Sequence, residues 1–431
     1  LERELNVKVS GFSNYKKQYT NTDLTTGLEG NEFFIDIITL PFIDTLSWNW
    51  TSEQRYLVNI SSPKWDIPKY LVIENAEGLM ELTYDYSNRI HGKSTLRKMT
   101  DTSGRYYDQF WRPIAKELKG VNKVYISLDG VYNNINLATL YNKETGKYLF
   151  EELDIEIVNS ARSFIESKNK APEQYEDLTA TLIGYPDYDH KPNVKESEEN
   201  KEDYYASSRD ITAQLTDSLS RGGRVGSLPG TKVEVETIAE TLRKQKWTPT
   251  VLIESEASER AVKDMQSPRV VHMATHGYFL EDIEQDHEED RMLGMDLNKV
   301  IENPMLRSGL LFAGANATLS GKEEQEGENG ILTAYEASFL NLENTELVVM
   351  SACETARGEQ KTGEGVYGLR KAIADAGAEY VMMSLWKVDD KVTQEFMTTF
   401  YTYWLEDKMS IREAFKSSRS FIKSKYPQPY Y

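Results

Sequence analysis

The chain contains a single cysteine, Cys353, among 431 residues. One cysteine excludes an intramolecular disulfide and a zinc site built from several cysteines. So few thiols are typical of proteins that remain in a reducing compartment, and we expect a cytoplasmic protein. A lone cysteine is more often a small buried hydrophobic residue than a nucleophile, so its neighbours must decide between these two roles.

Long apolar runs are missing as well. No segment approaches the ~20 apolar residues that a helix needs to span a bilayer, and the first four residues lack the basic-then-apolar pattern of a targeting signal. We therefore expect a soluble protein that does not contact membranes. Because the sequence lacks an initial Met, we also expect a fragment of a longer product.

Basic residues are in deficit, with 50 Lys and Arg against 69 Asp and Glu, for a formal net charge of -19. Nucleic acids and anionic membranes attract clustered positive charge, so we predict no direct contact with nucleic acid. The acidic run 281–290 fits no calcium-loop spacing and is interpreted as a solvated loop. No metal and no other cofactor is predicted.

The chain shows no internal repeat with a period of roughly 20–50 residues, and three zones follow one another. Residues 1–27 form a polar stub. In residues 28–114, apolar runs separated by Pro, Gly and Asn predict antiparallel strands, and thus a β-rich accessory subdomain. In residues 115–431, short apolar strands alternate with amphipathic helices, which predicts an α/β fold with a mostly parallel sheet flanked by helices.

Strands and helix starts can be placed within the third zone. Helices are predicted over 364–376 and 390–405, and capping boxes that begin at Thr231, Thr333 and Ser410 mark three further helix starts. The predicted strands are 123–128, 155–159, 181–185, 269–275, 309–313, 347–352 and 380–386.

Two of these strands are followed by residues with reactive side chains. Cys353 follows the strand 347–352, and His276 follows the strand 269–275. In open α/β sheets the ligand crevice lies at the carboxyl ends of the strands. An imidazole beside a thiol favours the thiolate and later protonates the leaving amine. We predict that Cys353 is a nucleophile with His276 as its proton-transfer partner, brought together by the fold.

The remaining catalytic roles are less fully defined. The backbone N–H groups of Gly277 and Cys353 are the candidate donors of an oxyanion hole. Alternation along the predicted strand puts His272 on the same face as His276, and we interpret it as a core or supporting histidine. The reversed assignment of the two histidines is the alternative. No Asp or Asn can be assigned as a third, orienting group, so the prediction is a Cys–His dyad.

Six segments around this dyad resemble the CHAT family, whose members are caspase-like cysteine peptidases related to separases. They occur in the family's order, and weaker similarity extends upstream to about Glu29. The segments are 270–277, 306–316, 332–336, 351–355, 363–370 and 383–390.

This resemblance implies an endopeptidase with a protein substrate and the dyad His276 and Cys353. It also implies a helical-repeat array, commonly of tetratricopeptide type, upstream of the peptidase domain, and residues 1–27 could be its last piece. A regulatory partner protein or this upstream region would control the activity. By analogy with related CHAT proteins, which act in gasdermin cleavage and CRISPR-linked proteolysis, a role in bacterial defence is expected.

The candidate specificity pocket departs from the separase pattern. Separases cut after Arg and have an acidic residue directly behind the Trp of the motif. Here Trp386 is followed by Lys387, and the residue two before the nucleophile is the neutral Ser351. An ammonium group in the pocket would repel a basic side chain, so we predict neutral or acidic residues before the cut. Asp389 is the fourth candidate residue of the specificity pocket. The alternative is that Lys387 forms an ion pair with Asp389 or Asp390 and does not line the pocket.

Two other functions compete with the peptidase. A catalytically silent scaffold could keep the fold and bind partners, but it would have no physical need for Cys353, His276 and Gly277 together. A thiol-dependent acyl transferase or amidase would need an acceptor pocket, for which the sequence carries no signal. The peptidase is therefore the favoured interpretation.

Overall fold

The structure is a computed structural model of the 431-residue chain. It describes residues 17–44, 49–91, 103–169, 175, 177–191, 224–279, 304–306, 308–319, 328–351, 364–384 and 389–427. They divide into two compact units, the first within Leu1–Leu82, Asp101–Tyr132 and Asn136–Glu173, and the second within Thr83–Thr100, Asn133–Ile135 and Gln174–Tyr431. No helix in the described part of the chain is long and apolar enough to cross a membrane.

The helices and strands are numbered in chain order. Up to residue 169 they are α1 (Asn21–Thr26), β1 (Glu32–Asp44), β2 (Asn49–Ser61), β3 (Lys69–Ile73), α2 (Ala76–His91), α3 (Arg112–Ala115), β4 (Lys123–Ser127), β5 (Tyr141–Asn142), β6 (Lys147–Tyr148), α4 (Leu149–Glu152), β7 (Asp154–Val158) and α5 (Ala161–Asn169). Beyond it they are β8 (Thr179–Pro186), α6 (Pro229–Lys244), β9 (Thr248–Glu254), α7 (Glu259–Lys263), β10 (Val270–Ala274), β11 (His276–Phe279), β12 (Ser308–Leu311), α8 (Ala315–Leu319), β13 (Ile331–Thr333), α9 (Ala334–Ala337), β14 (Leu347–Met350), α10 (Glu364–Asp375), β15 (Tyr380–Met383), α11 (Asp390–Leu405) and α12 (Ile411–Lys425).

The first unit is built on a five-stranded sheet in the order β3-β2-β1-β4-β7. β1, β2 and β3 pair antiparallel, as predicted, whereas β4 and β7 add to β1 in parallel. On one face the aromatic rings of Phe34, Tyr125 and Phe164 pack together with centroids 4.6 to 5.2 Å apart. The predicted boundary between residues 114 and 115 thus falls inside one sheet, and the domain division itself stays a prediction.

The second unit contains a five-stranded sheet in the order β15-β14-β10-β8-β9, in which every neighbouring pair is parallel. Side chains alternate along β10, so Val271 and Met273 pack toward α7, α9 and α10, while Val270 and Ala274 pack toward α6, α11 and α12. Helices therefore cover both faces, and the predicted α/β class with a mostly parallel sheet is confirmed. Strand β9 was not among the predicted strands.

The chain leaves this sheet at Thr275 and enters a second, three-stranded sheet in the order β11-β12-β13. Both pairs in this small sheet are antiparallel. Residues 309–313 were predicted to form a strand of the parallel sheet. A strand is present there, but its place in the parallel sheet is wrong, because β12 pairs antiparallel with β11 and β13. The close approach of β12 to β13 requires glycine at position 309, since a Cβ there would lie 2.3 Å from the carbonyl oxygen of Leu332.

Two of the three predicted capping boxes are confirmed, those of Thr333 with Glu336 and of Ser410 with Glu413. The third is wrong. Helix α6 begins earlier, at Pro229, whose fixed φ suits a first helical turn. Thr231 lies inside that turn, where its hydroxyl accepts the N–H of Tyr185 at 2.8 Å and so ties α6 to the end of β8.

Candidate active site

The strands that lead to His276 and Cys353 are neighbours in the parallel sheet. β10 and β14 pair from Val270 opposite Leu347 to Met273 opposite Met350, an offset of 77 residues (347 minus 270). His276 and Cys353 are separated by the same 77 residues (353 minus 276). Just past β14, the N–H of Ser351 still donates to the carbonyl of Met273 at 2.9 Å. Cys353 itself lies outside the described residues.

His276 opens β11 and is almost completely buried, with 5% of its surface exposed. Its Nε2 lies 2.8 Å from the carbonyl oxygen of Gly226. A carbonyl only accepts hydrogen bonds, so Nε2 must carry a proton, and in the neutral ring Nδ1 is the basic nitrogen. The hydrogen-bond partner of the His276 ring is therefore a main-chain carbonyl, which no residue type can reveal in advance.

Tyr188 packs against the imidazole of His276, with ring centroids 5.3 Å apart at an angle of 41°. The Tyr188 hydroxyl accepts the backbone N–H of His276 at 3.3 Å and lies 2.9 Å from Thr275 Oγ1. Thr275 in turn donates to the carbonyl of Leu311. One direction of donation fits the three contacts: His276 to Tyr188, Tyr188 to Thr275, and Thr275 to Leu311. These hydrogen bonds hold the backbone of His276, and the Tyr188 ring packs against its imidazole.

The segment that supplies the Gly226 carbonyl is held by Asn316, which is 4% exposed. Asn316 Oδ1 accepts the N–H of Val225 at 2.8 Å, and Nδ2 donates to the carbonyl of Val225 at 3.1 Å. Nδ2 also donates to Asp189 at 2.8 Å, and Asp189 forms an ion pair with Arg224. Hydrogen bonds from Asn316 and Arg224 lower the pKa of Asp189 below its ordinary value, so this carboxylate stays ionised at neutral pH.

His272 occupies a different environment from His276. It is fully buried, with Nε2 2.9 Å from a carboxylate oxygen of Glu234 on α6 and Nδ1 3.2 Å from the hydroxyl of Tyr401 on α11. The expectation that the two histidines share a strand face is wrong, because β10 ends at Ala274 and His276 belongs to another sheet. The interpretation of His272 as a core histidine fits these two partners.

The backbone direction at Gly277 follows from the pairing of β11 with β12. Phe312 donates to the carbonyl of Gly330 at 2.7 Å, so along β12 the peptide groups of Leu310 also point toward β13. Gly277 lies opposite Leu310 in the antiparallel ladder. It therefore forms a non-hydrogen-bonded pair, and its N–H points away from β12. The assignment of this N–H to an oxyanion hole stays a prediction.

The predicted specificity residues are only partly described. Ser351 is buried at the end of β14, and Asp389 is exposed and caps α11 by accepting the N–H of Val392 at 3.0 Å. Trp386 and Lys387 lie outside the described residues, so the pocket stays a prediction. No group of three metal-ligating side chains occurs within the described ranges, and the acidic run 281–290 lies outside them.

The fold and these positions define a class. A parallel sheet flanked by helices, with a histidine and a cysteine following neighbouring strands, is the arrangement of a caspase-like, peptidase-related protein. Residues 100–431 match the CHAT domain family, and this match covers more than half of the chain. The chain therefore belongs to the CHAT domain family. A comparison with curated proteins finds no match.

Proposed function

We propose that this chain is a cysteine endopeptidase in which Cys353 attacks the peptide bond and His276 transfers the proton. The observation that carries the proposal is the orientation of His276, whose Nε2 is held at 2.8 Å by the Gly226 carbonyl. The equal offset of 77 residues between β10 and β14 (347 minus 270) and between the two catalytic residues supports their proximity. A scaffold would have no physical need for this histidine together with Cys353 and Gly277.

The reaction would proceed through an acyl enzyme. The Cys353 thiolate attacks the peptide carbonyl, and the resulting oxyanion accepts hydrogen bonds from the N–H groups of Gly277 and Cys353. Protonated His276 donates its Nδ1 proton to the departing amine as the C–N bond breaks. His276 then takes a proton from water, whose oxygen attacks the thioester, and the peptide acid leaves as the thiol is restored.

The Gly226 carbonyl has a specific part in this cycle. A carbonyl that accepts from Nε2–H stabilises the imidazolium more than the neutral ring, since the charged donor forms the stronger hydrogen bond. It also keeps the proton on Nε2 throughout, so that Nδ1 alone exchanges protons with the thiol, the amine and water. A main-chain carbonyl thus performs the orienting role that a carboxylate performs in catalytic triads.

The proposed substrate preference follows from the charge of the candidate pocket residues. A protein substrate with a neutral or acidic residue before the cut fits Lys387 and the neutral Ser351 better than an arginine substrate does. A cytoplasmic location fits the single cysteine. Family resemblance supports a regulatory partner or an upstream tetratricopeptide-like region, and a role in bacterial defence.

Comparing protein N-termini in cells that express the wild type or Cys353→Ala tests the proposal. We expect new N-termini only with the wild type, and Arg and Lys should be rare in the position before them. Equal amounts of the two proteins, with the same unfolding temperature, are the control. Identical N-termini in both cultures would show that the chain does not cleave proteins and would favour a scaffold instead.

A further inference from the structure

We propose that Asn316 is a positioning residue of the active site, and that its side chain fixes the tautomer and orientation of His276 through the Gly226 carbonyl. Asn316 forms no hydrogen bond with the His276 ring in this arrangement. Its side chain bonds Val225, and the next residue, Gly226, accepts the hydrogen bond from the imidazole. The catalytic consequence rests on the proposed function, whereas the structural consequence for His276 does not.

The first step is the pair of hydrogen bonds between the Asn316 side chain and the backbone of Val225. Both peptide groups of Val225 are bonded to one side chain, with the N–H accepted by Oδ1 at 2.8 Å and the carbonyl bonded by Nδ2 at 3.1 Å. Two bonds to one residue fix its position and its rotation. The bond to the Val225 carbonyl fixes the peptide plane that Val225 shares with Gly226, so the Gly226 carbonyl can change direction only through rotation about φ and ψ of Gly226 itself. Asn316 is 4% exposed, so bulk water has little access to replace these bonds.

The second step reaches His276 from the other side. The backbone N–H of Asn316 donates to the carbonyl of Tyr188 at 2.9 Å. Tyr188 is the residue whose ring packs on the imidazole and whose hydroxyl accepts the His276 N–H. Asn316 therefore lies between the two segments that hold His276, and the contacts close a ring through Val225, Gly226, His276 and Tyr188.

The third step explains why the residue is an asparagine. Its amide uses one N–H for Val225 and donates to Asp189 at 2.8 Å, while its oxygen accepts from Val225. An aspartate would lack both donors and would face the Asp189 carboxylate. Gly314, with φ at +88°, makes the sharp turn that directs Asn316 into this position, and a side-chain residue would be strained there.

The nitrogen shifts of the imidazole rings test this inference directly. The chain has only five histidines, so protein labelled with ¹⁵N-histidine should give a resolvable set of signals. In the wild type, at a pH high enough for the ring to be neutral, His276 should show the tautomer protonated on Nε2. In Asn316→Ala the Gly226 carbonyl loses its support, and we expect a mixture of both tautomers. His272, with its own partners, serves as the internal reference and should not change.

Asn142→Ala is the matched control. Asn142 is also buried, at 7% exposure, and its amide bonds a carboxylate, that of Glu152, while its oxygen accepts the N–H of Glu144. The two variants thus remove similar contacts, but only one of them should move the His276 signals. On a cleaved peptide we expect kcat to fall about 10- to 100-fold in Asn316→Ala with little change in KM, as for a misplaced catalytic group.

If Asn316→Ala does not fold, the double variant Asn316→Asp with Asp189→Asn replaces it. Exchange of the two residues restores a donor–acceptor pair between positions 189 and 316 but leaves the Val225 carbonyl without its donor, so a tautomer mixture is still expected. A single Nε2-protonated tautomer in the folded variant would overturn the inference, as would equal shifts in Asn142→Ala. If Asn316→Ala alters the tautomers but the wild type itself shows no peptidase activity, only the proposed function is refuted.

Discussion

Replacing His276 by alanine should lower the rate of peptide cleavage by about 10²- to 10⁴-fold, the usual contribution of a general acid–base group. The variant loses the base that receives the thiol proton and the acid that protonates the leaving amine. Its free energy of unfolding should fall by only about 1 to 2 kcal/mol, because one hydrogen bond to Gly226 and some packing are lost. Cleavage kinetics on a peptide derived from a cellular site and urea unfolding measure the two effects.

His276→Gln separates the two parts of this prediction. A glutamine amide can still donate to the Gly226 carbonyl, but it cannot exchange protons near neutral pH. We expect it to unfold like the wild type and to be as inactive as the alanine variant. Activity within about a factor of ten of the wild type in a folded glutamine variant would contradict the role of His276 in proton transfer.

The second large effect is expected at His272 and concerns folding. Its removal leaves the carboxylate of Glu234 and the hydroxyl of Tyr401 buried without their histidine partner. A buried hydrogen-bonding group that loses its partner costs about 1 to 3 kcal/mol, and here two such groups lose theirs. We therefore expect His272→Ala to lower the free energy of unfolding by about 3 kcal/mol or more. Urea denaturation at pH 7 measures the change.

Tyr401→Phe is the control for this prediction, because it removes only the hydroxyl that contacts His272. A loss of about 1 kcal/mol is expected for that single hydrogen bond. The folded fraction of His272→Ala should keep the specific activity of the wild type. A stable but inactive His272→Ala, beside an active His276→Ala, would mean that the two histidines have the reversed roles.

The strands of the second unit illustrate what the sequence could predict. Fully buried strands such as β10 and β14 appear as continuous apolar runs, and both were found within two residues of their observed ends. β9 was missed because none of its seven residues is fully buried and Pro249 interrupts it. Such a strand at the edge of a sheet lacks the apolar signal and tolerates proline.

The surroundings of His276 show what the sequence could not predict. The predicted strand ends at Thr275, close to the observed end of β10, but nothing in the run from Val270 to Phe279 indicates that His276 begins a strand of a second sheet. The Gly226 carbonyl is equally invisible, since every residue carries one. Asn316 lies in a segment that resembles the CHAT family, but its role depends on Val225, which is 91 residues away. These features arise from tertiary contacts alone.

Thr231 and Glu234 form a third case, in which a valid local pattern has another use. Their spacing fits a capping box, yet Thr231 bonds the N–H of Tyr185 and Glu234 bonds His272. Both side chains connect α6 to the strands beneath it, and Pro229 starts the helix instead. Tertiary partners have overridden a local preference, as commonly happens where a helix packs on a functional strand.

The reactivity of Cys353 tests the central claim most directly, because it is the only cysteine in the chain and iodoacetamide labelling reports on it alone. Below pH 7 an isolated thiol is almost fully protonated and reacts slowly, whereas a thiol beside an imidazolium reacts as the thiolate. At pH 6.5 we expect labelling of the wild type to be at least about 10 times faster than that of His276→Gln, with the difference disappearing above about pH 9. Equal rates in the two proteins from pH 5 to pH 9 would contradict a catalytic Cys353–His276 pair.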